Sequence, residues 1–230
     1  MSILKKLASE TAIYGLSSIF GRFLNYLLVP LYTYYFTASE YGVVSEFYAY
    51  AGFFSVLLLW GLETGYFRFR QDESLKQISY ATALFTVLLL NCLFLLIIVY
   101  SQSQLAQLLH YEQHSDYILY FALILSLDAA CAIPFARLRA EHKAWRFATI
   151  KVIEILLTIF LSLFFIVLCP RLAANNPPEW LAIIYNPSIG VAYIFIANLF
   201  ASVAKFLLLT PQFSGLSWGF DKALFIRLLR

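Results

Sequence analysis

The chain has 230 residues, 62% of them hydrophobic and 13% charged. That leaves too little polar surface for a soluble globule, and the long, repeated apolar runs indicate an all-α, polytopic membrane protein. The net charge of +3 gains meaning only when the basic residues are placed by loop, and the alternation of an outer-membrane barrel is missing.

The first apolar segment, residues 11–36, is long enough to cross a hydrocarbon core of about 30 Å. Lys5 and Lys6 precede it, as in a signal peptide, but the run is too long and no small-residue cleavage site follows. It reads as a retained first helix. Arg22 falls near its middle and Asn25 follows one turn later. A charge at that depth costs at least about 2.5 kcal/mol on insertion scales, so it is expected to face a bundle interior or a wet cavity.

A short polar turn, Thr37-Ala38-Ser39-Glu40, leads to a second span over 42–67. Further spans are expected over 78–100, 117–136, 147–168 and 189–209. Residues 1–210 then form one six-helix lobe. Residues 211–230 read as a connector carrying a short amphipathic helix, of the kind that lies in the membrane interface.

The loops fix an orientation. Twelve basic residues fall before the first span, in the second and fourth connections, and after the sixth span; the alternate loops hold only Arg171. Both termini are therefore expected in the cytoplasm of a multi-pass inner-membrane protein. A second six-span unit placed after this one would enter with the same orientation, the arrangement of parallel transporter repeats.

Within the spans, polar residues fall in helical register. Ser45, Tyr48, Gly52 and Ser55 share a face, as do Ser79, Thr82 and Thr86. Lys151, Glu154, Thr158 and Ser162 line up, and so do Asn198, Ser202 and Lys205. Ser, Thr and Gly in such positions suit close packing and interhelical hydrogen bonds. Arg22 and Asp128 sit about halfway across. They either pair to fix the bundle, or Arg22 meets an anionic ligand in a solvated cavity. Lys151 and Glu154 can satisfy one another at i,i+3 or line the cavity. Lys205 is expected to snorkel to its helix end, and Glu46 and Glu63 to reach the headgroups. Pro134 suggests a kink in the fourth span.

The sequence holds no nucleotide loop or paired catalytic carboxylates, so neither an enzyme nor a cofactor is expected. Cys92, Cys131 and Cys169 lack metal or disulfide spacing, and His110, Glu112 and His114 read as a solvated loop rather than a metal site.

Several stretches are familiar. Glu10-Thr11-Ala12-Ile13-Tyr14-Gly15, Gly21-Arg22, Val29-Pro30-Leu31-Tyr32-Thr33, Ser39-Glu40-Tyr41-Gly42, Gly61-Leu62-Glu63-Thr64 and Phe67-Arg68-Phe69 together resemble the start of bacterial polysaccharide flippases. These belong to the multidrug/oligosaccharidyl-lipid/polysaccharide exporter superfamily. Arg137-Leu138-Arg139-Ala140-Glu141 is similar to that family's fourth cytoplasmic turn, and Phe220-Asp221-Lys222-Ala223-Leu224 to the stretch preceding its second half. The resemblance implies two six-helix lobes around a central cavity, working by alternating access on an isoprenoid-diphosphate-linked oligosaccharide. It also implies a cavity cation, a role that falls on Arg22. Asn25, Asp128, Lys151 and Glu154 join the candidate substrate-binding set by depth and register alone. Family members carry about twice as many spans, so this chain matches a first lobe: a fragment, or a unit that pairs with a second lobe or with a copy of itself. The expected partners are the bilayer and the lipid-linked sugar, with no nucleic acid. A cation-coupled multidrug exporter and a non-transporting scaffold in an envelope-assembly complex are the competing readings.

Overall fold

The computed structural model describes residues 3–174, 178–213 and 221–228, apart from the side chains of residues 3–8, Ser18, Arg22, Asn25, Lys222 and Ala223. The described residues are helical with no strand. Among the described residues, six segments are long and apolar enough to cross a membrane: Ser9–Tyr35, Ala38–Phe69, Lys76–Leu108, Asp116–Ala140, Ala144–Ala174 and Ala192–Gln212.

The first helix, α1 (Ile3–Tyr35), begins before the apolar run. Its turn into α2 (Ala38–Leu59) is set by a capping box. Thr37 Oγ1 accepts from the Glu40 amide, and the Glu40 carboxylate accepts from the Thr37 amide at 2.8 Å. Two orphan amides are thereby satisfied, and α2 starts four residues earlier than its apolar run suggests.

The second span is not one helix. Trp60 and Gly61 both adopt left-handed backbone, with φ of 44° and 72°, and α3 (Leu62–Phe69) follows as a separate element. A glycine at 61 removes the Cβ penalty that this conformation carries for other residues. Glycine is common inside membrane helices, so the break left no clear mark on the sequence.

The third span, α4 (Lys76–Leu108), runs eight residues past the expected end. At about 1.5 Å per residue it is roughly 50 Å long, well beyond the hydrocarbon core. Ser, Gln, Ala and Leu in its last turns are compatible with helix, so the helix continues where the lipid stops. The fifth span combines α6 (Ala144–Leu163), a π-helical turn over Phe164–Leu168 and α7 (Cys169–Ala174). The Cys169 amide donates to Phe164 O across five residues. Pro170, which has no amide to donate, follows at once. The short helix α8 (Glu179–Ile184) occupies the connection between the fifth and sixth spans, and buries Leu181.

The fourth span, α5 (Asp116–Ala140), is the central pillar. It touches α2, α3, α4, α6 and the sixth span, α9 (Ala192–Leu209). Phe47 of α2 packs its ring against Phe121 of α5 and Phe195 of α9, with centroids 5.2 and 5.4 Å apart. Each ring buries apolar area and gains edge-to-face contact, which ties the three helices at one level. Pro134 lies inside α5 and is buried.

The final described element, α10 (Lys222–Leu228), packs on α3 and α4 and buries Leu224 and Leu228. Its apolar side meets protein rather than only the headgroups. Leu228 closes on Gly65 so tightly that a Cβ there would come within 2.7 Å of the Leu228 carbonyl oxygen.

Basic residues meet acids at one end of the bundle. Arg139 pairs with Glu63, and His142 Nδ1 lies 2.6 Å from the Glu10 carboxylate. Arg137 pairs with Glu141 and donates to the Gln212 carbonyl at 2.8 Å, its guanidinium over the Tyr80 ring. Glu63 therefore crosses to another helix rather than reaching for headgroups. Glu46 is also held within the protein, accepting from the hydroxyls of Tyr50 on its own helix at 2.6 Å and of Tyr111 in the connection after α4 at 2.8 Å. Burial and that carboxylate push the Tyr111 phenol up to about 12.

Candidate functional site

A cavity of about 470 Å³ opens between α1, α2, α5, α6 and α9. Tyr26 and Tyr32 come from α1, and Tyr41 and Tyr48 from α2. The far wall carries Asp128, Glu154, Thr158, Asn198 and Ser202. Its lining is thus phenol, hydroxyl, amide and carboxylate set among aliphatic side chains.

The wall is held by an ionic network across three helices. Lys205 of α9 donates to Asp128 Oδ1 of α5 and to Glu154 Oε1 of α6, both at 2.6 Å. Ser202, one turn before Lys205, donates to the same Asp128 oxygen at 2.7 Å. Lys151 donates to Glu154 Oε2 at 3.0 Å and lies over the Phe135 ring at 4.8 Å. Two ammonium groups and two carboxylates balance, which makes burial of the charges tolerable.

Exposure divides the network. The Lys205 side chain is 3% exposed, whereas that of Asp128 is 46% exposed. The cation is sealed behind the acid, so the charge that the cavity presents on this wall is a carboxylate. Local geometry sets this up. Helical spacing puts Lys151 and Glu154 on one face of α6, and Ser202 and Lys205 on one face of α9.

Of the residues expected from sequence, Asp128 and Glu154 stand on the cavity wall, and Lys151 joins them through Glu154. The side chains of Arg22 and Asn25 lie outside those described; both residues belong to α1, with Arg22 one turn before Tyr26. Lys205 corrects an expectation. It does not snorkel, because two carboxylates inside the bundle offer its ammonium direct partners. Its register with Ser202 and Asn198 was the available signal. The partners of Asp128 among the described residues are Lys205 and Ser202.

Most other intramembrane hydroxyls do not bond between helices. Ser45, Ser55, Ser79 and Thr86 each donate to a carbonyl three or four residues back on their own helix. Their alignment is real, but the hydrogen bonds close locally. The Tyr32 hydroxyl is an exception, bonding Ser162 of α6 at 2.9 Å.

The cysteines are free, Cys131 and Cys169 buried and Cys92 exposed. The His114 ring stacks on Tyr117 at 4.8 Å, and among the described residues no group of three metal-ligating side chains converges.

Fold and cavity together define a polytopic helical membrane protein with a chamber of mixed polar and apolar lining inside its spanning bundle. A family model described as polysaccharide biosynthesis protein matches residues 35–174, and the chain belongs to that family. The match takes in α2 to α7, with Asp128, Lys151 and Glu154. It leaves out most of α1, with Arg22, and α9, with Lys205. No curated protein and no solved structure matches the chain. The protein thus serves polysaccharide biosynthesis or export from within a membrane.

Proposed function

We propose that this chain is one lobe of a flippase that carries an isoprenoid-diphosphate-linked oligosaccharide across the bacterial inner membrane by alternating access, with both of its termini cytoplasmic. The observation that carries the reading is the cavity itself. A chamber within the spanning helices, lined by tyrosines, amide and hydroxyl groups and one accessible carboxylate, suits sugar hydroxyls and sugar faces. Tyrosine rings offer apolar surface to a pyranose, and Asp128 accepts from hydroxyl groups. The Lys205 ammonium is already neutralised, so the diphosphate falls to Arg22 of α1, with Asn25 one turn later. The isoprenoid stays in the lipid, beside the apolar outer faces of the helices. A second lobe, or a second copy, closes the other side of the chamber, and residues 211–230 lead toward it.

Family membership places the protein in polysaccharide work, which favours this reading over a multidrug exporter. The half-exposed Asp128 is the feature that a cation-coupled mechanism would use. Complementation of a strain lacking the gene separates the readings. Arg22→Ala is expected to abolish polysaccharide export with the protein still present in the membrane. Export at the parental level would remove Arg22 from the mechanism. Loss of drug resistance with export intact would favour the exporter.

A further inference from the structure

Phe69 closes α3, and two guanidinium groups face its ring. Arg68 Cζ lies 5.5 Å from the ring centroid, and Arg227 of α10 lies 5.6 Å from it. Arg70 is next in the chain, and its Nη1 is buried with no hydrogen-bond partner among the described residues. None of Arg68, Arg70 or Arg227 forms an ion pair with a described carboxylate, whereas Lys76, Arg137, Arg139, Lys143, Lys151 and Lys205 all do. The acids of the neighbouring turn are committed. Asp72 accepts from the amide and hydroxyl of Ser74, and Glu73 pairs with Lys76.

Two unpaired cations on one ring repel each other, and the buried Arg70 donor, one residue beyond that ring, is costly without an acceptor. An anion with several acceptor oxygens relieves both, and guanidinium forks match phosphate oxygens well. The cluster stands at the end of a membrane-spanning segment, and Ile226, beside Arg227, is exposed. Charge next to apolar surface at that position fits a headgroup attached to acyl chains better than a free anion. We propose that Arg68, Arg70 and Arg227 form a binding site for the phosphate of an anionic phospholipid at the seam between α3 and α10, apart from the central cavity. The bound lipid would hold α10 against α3, where Leu228 already meets Gly65.

The test is native mass spectrometry of the purified full chain in detergent, with phosphatidylglycerol and phosphatidylcholine as probes. The parent is expected to retain phosphatidylglycerol preferentially. Replacing the three arginines by glutamine is expected to erase that preference, at about fivefold per arginine at low salt, with phosphatidylcholine retention unchanged. The triple lysine variant is expected to keep most of the preference, and Lys76→Gln all of it. If the triple glutamine variant does not fold, Arg227→Gln alone, on an exposed position, reads a loss of about fivefold. Equal retention of the two lipids by the parent, or unchanged phosphatidylglycerol binding in the variants, overturns the proposal. Complete displacement of the lipid by millimolar inorganic phosphate also overturns it, by marking a free-anion site.

Discussion

The Lys205 ammonium on α9 lies 2.6 Å from the Asp128 carboxylate on α5 and is shared with Glu154 of α6. One buried cation thus joins three spans behind the cavity wall. Removing it leaves Asp128 without a cation and Glu154 with Lys151 alone. Lys205→Met is expected to destabilise the bundle by about 3–5 kcal/mol. Adding Asp128→Asn is expected to restore part of that loss, because the unpaired charge is then gone. Denaturant unfolding of both single variants and the double variant reads the coupling. Additive losses would mean that the two groups do not depend on each other.

Gly61 provides a test free of packing effects. A Cβ at this position meets nothing within 4 Å, yet φ is +72°. Gly61→Ala is therefore expected to cost about 1–2 kcal/mol through backbone strain alone. Gly61→Asn is expected to cost less, since asparagine tolerates the left-handed region. Thermal unfolding of the two variants in one detergent compares them directly.

Glu141 makes stability depend on pH. Burial alone would raise its pKa, but hydrogen bonds from Lys143 and Arg137 outweigh that and hold it below the ordinary 4.5. The unfolded chain then binds more protons than the folded one in the acid range. The contribution is complete above the unfolded value and is lost as pH falls through the lower, folded one. Glu141→Gln is expected to be less stable than the parent at pH 7, by up to about 1 kcal/mol. The gap is expected to narrow steadily below about pH 4.5. A gap that stays constant down to pH 3 would contradict the assigned cause.

The six spans were legible because length and apolar content are properties of contiguous sequence. The Lys151–Glu154 pair was legible for the same reason, its spacing being local. Helix ends were harder, since Gln102, Gln104 and Gln107 carry no stop signal and α4 simply continues through them. The break at Trp60-Gly61 depends on how α3 packs on α4, α5 and α10, which no local pattern records. Lys205 departs from the expected position because its partners lie 77 and 51 residues away in the chain. Distance to a helix end is readable from sequence, whereas the presence of two acids across the bundle is not. The same holds for Glu46, whose partner Tyr111 stands 65 residues away.

The cavity is proposed to receive the sugar of a lipid-linked oligosaccharide, and photo-crosslinking reads that contact most directly. A photoreactive phenylalanine analogue is placed at Tyr48, on the cavity wall, and in a separate variant at Leu96, an exposed apolar position of α4. In membranes containing a radiolabelled oligosaccharide on its isoprenoid carrier, Tyr48 is expected to crosslink the label well above the level at Leu96, and unlabelled carrier-linked sugar to compete it away. Equal labelling at the two positions, or none at Tyr48, would contradict the account.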